Sequence, residues 1–203
     1  MFRLLSFLLL FAIITGCKCT KSTDLVAINQ HDYDIIFDIR YATSNNFLGR
    51  KIYENANVYL HKDAAKNLKI ATLYADKLGY KIKLFDGFRP LSVQRKLYTE
   101  VSNEIYVSNP DSGVASHTRG VALDVTLVDK KTNKELDMGT EFDSFEEKAH
   151  HNPNIDPKIL QNRTILAGIM AISGFTPLPS EWWHYNLRIY EIYPDYGSKY
   201  PKM

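Results

Sequence analysis

Hydrophobic positions along this chain change period several times. Val121, Leu123, Val125 and Leu127 alternate with Ala122, Asp124 and Thr126, which predicts a strand with one greasy face and one face of small or polar side chains. After Pro177 and Pro179, the residues Trp183, Tyr185, Leu187 and Ile189 alternate with His184, Asn186, Arg188 and Tyr190 in the same way. Asp34–Tyr41 is rich in β-formers, and Lys81–Phe85 separates Ile82 and Leu84 by a polar residue, so both predict further strands. Ala64, Leu68, Ala71, Ala75 and Leu78 recur at helical spacing, with Gly79 as a stop. Asp86–Pro90 reads as a turn, after which Val93, Leu97, Val101 and Ile105 mark a second helical stripe. A third helix is delimited by its ends: Asp156 as cap, Pro157 at the first position, Gly174 as terminator. Ile159, Leu166, Ile169 and Met170 supply its apolar side.

Helices mixed with hairpin-like strands, with no regular strand–helix alternation, predict an α+β fold: a central, mainly antiparallel sheet flanked by helices. No repeat, low-complexity tract or internal linker interrupts the stretch from Leu25 onward, so residues 25–203 are expected to form a single domain. Between Val128 and Asp156 lies a long, mostly polar stretch, expected to be a hairpin followed by an active-site loop, since long loops in compact domains usually serve function.

The first residues are of another kind. Arg3 precedes an apolar run of eleven residues from Leu4 to Ile14, and Thr15, Gly16 and Cys17 follow. That run is too short for a bilayer, which takes about 20 helical residues, and it has the layout of a removable export signal. Cys17 directly after Ile14-Thr15-Gly16 resembles the lipobox of bacterial lipoproteins. The resemblance implies a signal peptide over residues 1–16, lipid on Cys17 and a polar tether over residues 17–24. Both cysteines, Cys17 and Cys19, lie in this leader region, so no disulfide staples the domain. A body of about 180 residues needs none, because it buries roughly 70% of its unfolded surface. With Arg3 removed the 25 basic residues fall to 24, against 23 acidic ones, a balance that offers no field for steering onto nucleic acid. Contact with a membrane is expected only through the lipid.

The chemistry-bearing residues gather in two stretches, Ser116–Asp124 and Glu181–His184. Asp124 projects from the small face of its strand, Gly120 lets the chain turn so that His117 folds back toward that face, and His184 sits on a second strand. Two imidazoles and one carboxylate suit zinc, one ion per chain, and three protein ligands leave a fourth position open. Glu181, expected just outside its strand near a bend, is then a spare carboxylate placed to take a proton. Taken singly, each has a plainer reading: a hydrogen-bonded structural His, a capping Asp, a core Trp182 or Trp183.

Ser116-His117-Thr118-Arg119-Gly120-Val121-Ala122-Leu123-Asp124 and Glu181-Trp182-Trp183-His184 resemble the two signature motifs of the zinc D-alanyl-D-alanine dipeptidases, the VanX-type family. Three further blocks, Asp38–Phe47, Asp86–Pro90 and Asp137–Asp143, resemble that family in the same order. The resemblance implies that His117, Asp124 and His184 hold zinc and that Glu181 is the catalytic base. It implies that Arg89 stabilises the oxyanion, although by itself Arg89 reads as a structural ion pair at a strand end. Asp143 and Tyr41 match positions near the substrate amino end, and Ser116 matches a substrate contact. The family usually carries Ser two residues before the first zinc His. Here that position is Ala115, which removes a hydroxyl contact to the substrate carboxylate. His150 and His151 match no block at the zinc and read as loop residues.

The function so implied is hydrolysis of D-Ala-D-Ala to two D-alanines. Outside the cytoplasmic membrane this recovers D-alanine from cell-wall turnover. Two alternatives share the metal motifs: a zinc carboxypeptidase or endopeptidase acting on longer wall peptides, and a non-catalytic zinc-binding surface lipoprotein, which would have no need of Glu181.

Overall fold

A computed structural model describes residues 24–112, 115–152 and 154–196. The expected signal peptide and Cys17 lie outside the described residues. From the first described residues the elements run β1 (Leu25–Ile28), α1 (Gln30–Tyr33), β2 (Ile36–Phe37), β3 (Val58–His61), α2 (Lys62–Lys77), β4 (Tyr80–Asp86), α3 (Leu91–Val101), β5 (Ala122–Asp129), β6 (Lys134–Glu135), α4 (Pro157–Ile172), β7 (Phe175–Leu178) and β8 (Glu181–Leu187). Single 3₁₀ turns occur at Arg40–Ala42, His117–Arg119, Glu147–Ala149 and Tyr190–Ile192.

The main sheet has the order β2-β4-β5-β8-β7, with β6 also paired to β5. Only β2 and β4 are parallel; every other pairing in it is antiparallel. β1 and β3 form a separate antiparallel pair. This is the α+β architecture that the sequence predicts. Along α2, Ala64, Leu68, Ala71 and Ala75 are buried, so the helix lies close against the sheet through small side chains. α4 buries Leu166, Ile169 and Met170. Both helices also touch one another, so they cover one face of the sheet. Side chains alternate across a strand. Because Tyr185 on β8 is close enough to feel the charge of Arg163 on α4, His184 projects from the opposite face.

The helix ends fall where their chemistry predicts. Asp156 accepts from the N–H groups of Lys158 and Ile159, and Gly79 and Gly174 take positive φ after α2 and α4. The second stripe is shorter than its spacing suggests: α3 stops at Val101, Ser102 turns left-handed, and Ile105 is exposed. The Asn103 side chain accepts from the Ile105 N–H instead, and that local turn competes successfully with another helical turn. The strand expected over Asp34–Tyr41 shrinks to β2. Asn46 donates to the carbonyls of Arg40, Thr43 and Arg50, closing a loop that bends the chain and delivers Tyr41 to the core. β8 likewise ends at Leu187, and Tyr190 opens a 3₁₀ turn. The polar stretch after Val128 does form a hairpin, β5 with β6, and then a long loop.

Candidate metal centre

Cross-strand register builds the first half of the site. Asp124 on β5 stands directly opposite His184 on β8, and Asp124 Oδ1 lies 3.1 Å from His184 Nδ1. The 3₁₀ turn before β5 brings in His117, whose Nε2 is 3.3 Å from Asp124 Oδ2 and 3.2 Å from His184 Nδ1. That turn ends at Gly120 with φ of +65°, where an added Cβ would lie 2.5 Å from Leu25 Cδ2 and 3.0 Å from the His61 nitrogen. Only glycine satisfies both the left-handed backbone and the close approach. The Gly120 carbonyl in turn accepts from the His61 N–H at 2.7 Å, pinning the turn to β3.

The donor set fits a cation. His117 Nδ1 donates to the Gly87 carbonyl at 2.7 Å; in the neutral ring this leaves the Nε2 lone pair facing His184 and Asp124. Two imidazole nitrogens and a carboxylate oxygen, all buried, lie within 4.8 Å of one another. Burial alone would favour a protonated Asp124, but His117 and His184 outweigh it and hold the carboxyl well below the usual range. The site thus presents a fixed negative charge and two imidazole nitrogens, a donor set that suits a divalent transition ion.

Glu181 is the first residue of β8, inside the strand's end rather than just beyond it. Its Oε2 lies 3.8 Å from His184 Nδ1. Burial pushes its carboxyl up to about 8, and the charge of Asp124 pushes the same way, against His117 and Arg89. Asp143 is half-buried, at φ of +62°, with its enclosed Oδ2 unpartnered among the described residues. Burial drives its carboxyl well above the ordinary range, with Asp124 adding to the effect and Arg89 opposing it. Both acids therefore have proton affinities that an incoming cationic group would lower sharply.

Arg89 serves both of the readings that its position allows. Its Nε and Nη2 donate to Asp86 Oδ2 at 3.0 and 2.8 Å, as a structural pair would. Nη1 donates to Gln94 at 3.0 Å, and Nη2 also comes within 3.8 Å of Asp124 Oδ2. The guanidinium lies over the Tyr41 ring, 5.1 Å from its centroid. Asp86 is held in turn by the Tyr53 hydroxyl and the Gly87 N–H, while Gln94 donates to the Ser108 carbonyl. The sequence reading gave no role to Tyr53, Asp86 or Gln94. The closeness of Asp86 to Arg89 in sequence was the one available signal.

These groups face one cavity of about 220 Å³. His117, Asp124, His184, Glu181, Asp143 and Arg89 all line it, as do Tyr41, Ala115 and Ser116. Its volume lies below the range of about 300–1,000 Å³ common for drug-sized ligands. Ser116 Oγ is 3.4 Å from His184 Nε2. Phe145 packs on Phe47 and on Tyr106, so three separate loops meet at the rim. His150 and His151 stand outside this cavity, on the loop as expected. Trp182 is core and donates to Thr140, whereas Trp183 is buried yet lines the cavity.

A buried triad able to hold a divalent ion, beside the carboxyls of Glu181 and Asp143 and a fixed guanidinium around one small cavity, is the equipment of a metal-dependent peptidase. Similarity to known proteins narrows that class. The chain belongs to the Peptidase_M15 family of D-Ala-D-Ala dipeptidases, whose profile matches residues 21–203. It is 35% identical over 176 residues to a D-alanyl-D-alanine dipeptidase of Escherichia coli K12, covering 86% of this chain and 90% of the relative. Two enterococcal proteins of the same name, from Enterococcus faecalis V583 and Enterococcus faecium, are 34% and 33% identical and cover 80% and 83% of this chain and 90% and 93% of theirs.

Proposed function

We propose that this protein hydrolyses D-Ala-D-Ala to two D-alanines with one zinc ion at His117, Asp124 and His184. The observation that carries the reading is the Asp143 carboxylate, with Oδ2 unpartnered among the described residues, in the wall of a cavity of about 220 Å³ that also holds the metal triad. A free dipeptide brings its ammonium within a few bonds of its scissile carbonyl, so an acid in the same small cavity is placed to recognise it. Ser116 is the polar contact for the substrate carboxylate, and Ala115 leaves the neighbouring position without a hydroxyl.

The bound ion supplies Lewis-acid polarisation and makes a water easier to deprotonate near neutral pH. Glu181 Oε2 accepts that proton and later donates it to the departing amine. Its raised proton affinity suits both steps, because a group that titrates near the working pH can take a proton and return it. Arg89 is fixed by Asp86 and Gln94, so it faces the negative charge that develops on the carbonyl oxygen without reorganising. Tyr41 supports the guanidinium from below.

The lipobox at Cys17 supports placement outside the cytoplasmic membrane, on a lipid anchor, with D-alanine recovered during cell-wall turnover as the role. The test is D-alanine release by the zinc-loaded protein lacking residues 1–19, with D-Ala-D-Ala and a tripeptide ending in D-Ala-D-Ala as substrates. Release from the dipeptide alone, lost in Glu181→Ala with zinc still bound, is expected. Preferred cleavage of the tripeptide would move the assignment to a carboxypeptidase.

A further inference from the structure

On the other face of the sheet, Arg163 of α4 is 3% exposed. Its Nε and Nη2 both donate to the Met138 carbonyl, Nη2 donates also to Lys148, and Nη1 donates to His150. All the acceptors are neutral carbonyls. Every Asp and Glu of the chain lies among the described residues, and none forms an ion pair with Arg163. Asp137 acts on it only from beyond ion-pair distance, and a buried cation so weakly compensated is costly. Four of the five guanidinium hydrogens are accounted for, leaving one on Nη1.

Arg163 borders a second cavity of about 280 Å³, between α4 and the loop that follows His150. His151 lines it as well, and the buried His151 Nε2 has no hydrogen-bond partner among the described residues. Behind His151, its ring edge-on at 6.5 Å, lies Tyr185, whose buried hydroxyl is also unpartnered. Burial and the charge of Arg163 both lower the proton affinity of His151, as expected of a ring beside an unneutralised cation. The remaining wall includes Ile155, Leu160 and Ala167. One end of the cavity is therefore bordered by a cation and an imidazole ring, and the rest offers hydrocarbon.

We infer that this cavity binds a small carboxylate with a compact apolar body, its anionic end on Arg163 and His151 and its body on Leu160, Ile155 and Ala167. The ligand supplies at contact distance the counter-charge that Asp137 supplies only from farther away. The position gives occupancy a consequence: Arg163 holds the carbonyls on both sides of the Asp143 loop, and the His151 N–H donates to the Pro179 carbonyl just before Glu181. A filled site stiffens the supports of two residues that line the metal cavity.

The test uses propionate as probe and propionamide as its uncharged counterpart, with the metal-loaded protein. Propionate is expected to raise the melting temperature with the logarithm of its concentration, by about 3 °C at ten times its dissociation constant, and propionamide is expected to leave it unmoved. Leu160 is 37% exposed, so Leu160→Glu is compatible with folding and places a carboxylate one turn from Arg163. That variant should melt higher than the parent without propionate and lose the propionate response, whereas Leu160→Gln should keep it. Equal responses to propionate and propionamide would overturn the site. So would a propionate response that survives in Leu160→Glu and is accompanied by competitive inhibition of D-Ala-D-Ala hydrolysis, which would place the anion at the metal centre.

Discussion

Replacing Gly120 with alanine tests how the metal centre is positioned. Two costs add. A residue other than glycine at φ of +65° is strained by about 1–2 kcal/mol. The new methyl would also lie 2.5 Å from Leu25 Cδ2 and 3.0 Å from the His61 nitrogen. Leu25 can rotate aside, but the His61 nitrogen is backbone and is bonded to the Gly120 carbonyl at 2.7 Å. Overpacking of this kind costs about 1–3 kcal/mol. The sum, about 2–5 kcal/mol, corresponds to a melting temperature lower by about 5–15 °C for a domain of this size. Because the displaced turn carries His117, zinc affinity should fall as well. Thermal melting monitored by circular dichroism, with competitive zinc titration, measures both. Gly120→Asn separates the causes: asparagine tolerates the left-handed region, so it should be milder than alanine only if backbone strain dominates. A loss under about 2 °C with unchanged zinc affinity would refute the argument.

Chelation should abolish hydrolysis and lower the melting temperature, and added zinc should restore both; activity that persists without metal would exclude the triad. Arg89→Lys keeps the charge but loses the paired bonds to Asp86 and the bond to Gln94, so kcat should fall about 10²–10³-fold with little change in KM, read from steady-state D-alanine release. Asp143→Asn should lower kcat/KM, and in metal-free protein it should raise the melting temperature at pH 7.5. The sign follows from linkage: the folded carboxyl has a higher pKa than the unfolded one, so ionisation favours unfolding as pH rises above the unfolded value of about 3.9. The gain should vanish below that value, and a variant less stable at pH 7.5 would contradict the burial argument.

How much of this was legible depended on whether local chemistry or tertiary contact decides each element. α2 and α4 could be read because glycine and capping signals bound them, and β5 because alternation continues through a strand with two distinct faces. β1 and β3 were not anticipated. Each has only four residues, too few for a period to stand out, and they are held by pairing with each other. Ile105 extended the apolar spacing past a real helix end, since spacing does not weigh Ser102 and Asn103. At the site, His117, Asp124, His184 and Glu181 converge as the two motifs suggest. Arg89 acquires its fixed orientation from Tyr53, Asp86, Gln94 and Ser108, and Asp143 reaches the cavity from a long loop. No pattern along the chain encodes those meetings.

The direct opposition of Asp124 and His184 across β5 and β8 ties catalysis to the pairing of the sheet. If β8 slips by one residue against β5 its faces exchange, and His184 would then turn toward α4 and away from Asp124 and His117. A misregistered chain would lose all metal capacity in a single step, with no partly active intermediate between the two pairings. Metal retention is therefore a reporter of correct strand register in this protein, one that needs neither substrate nor turnover to be read.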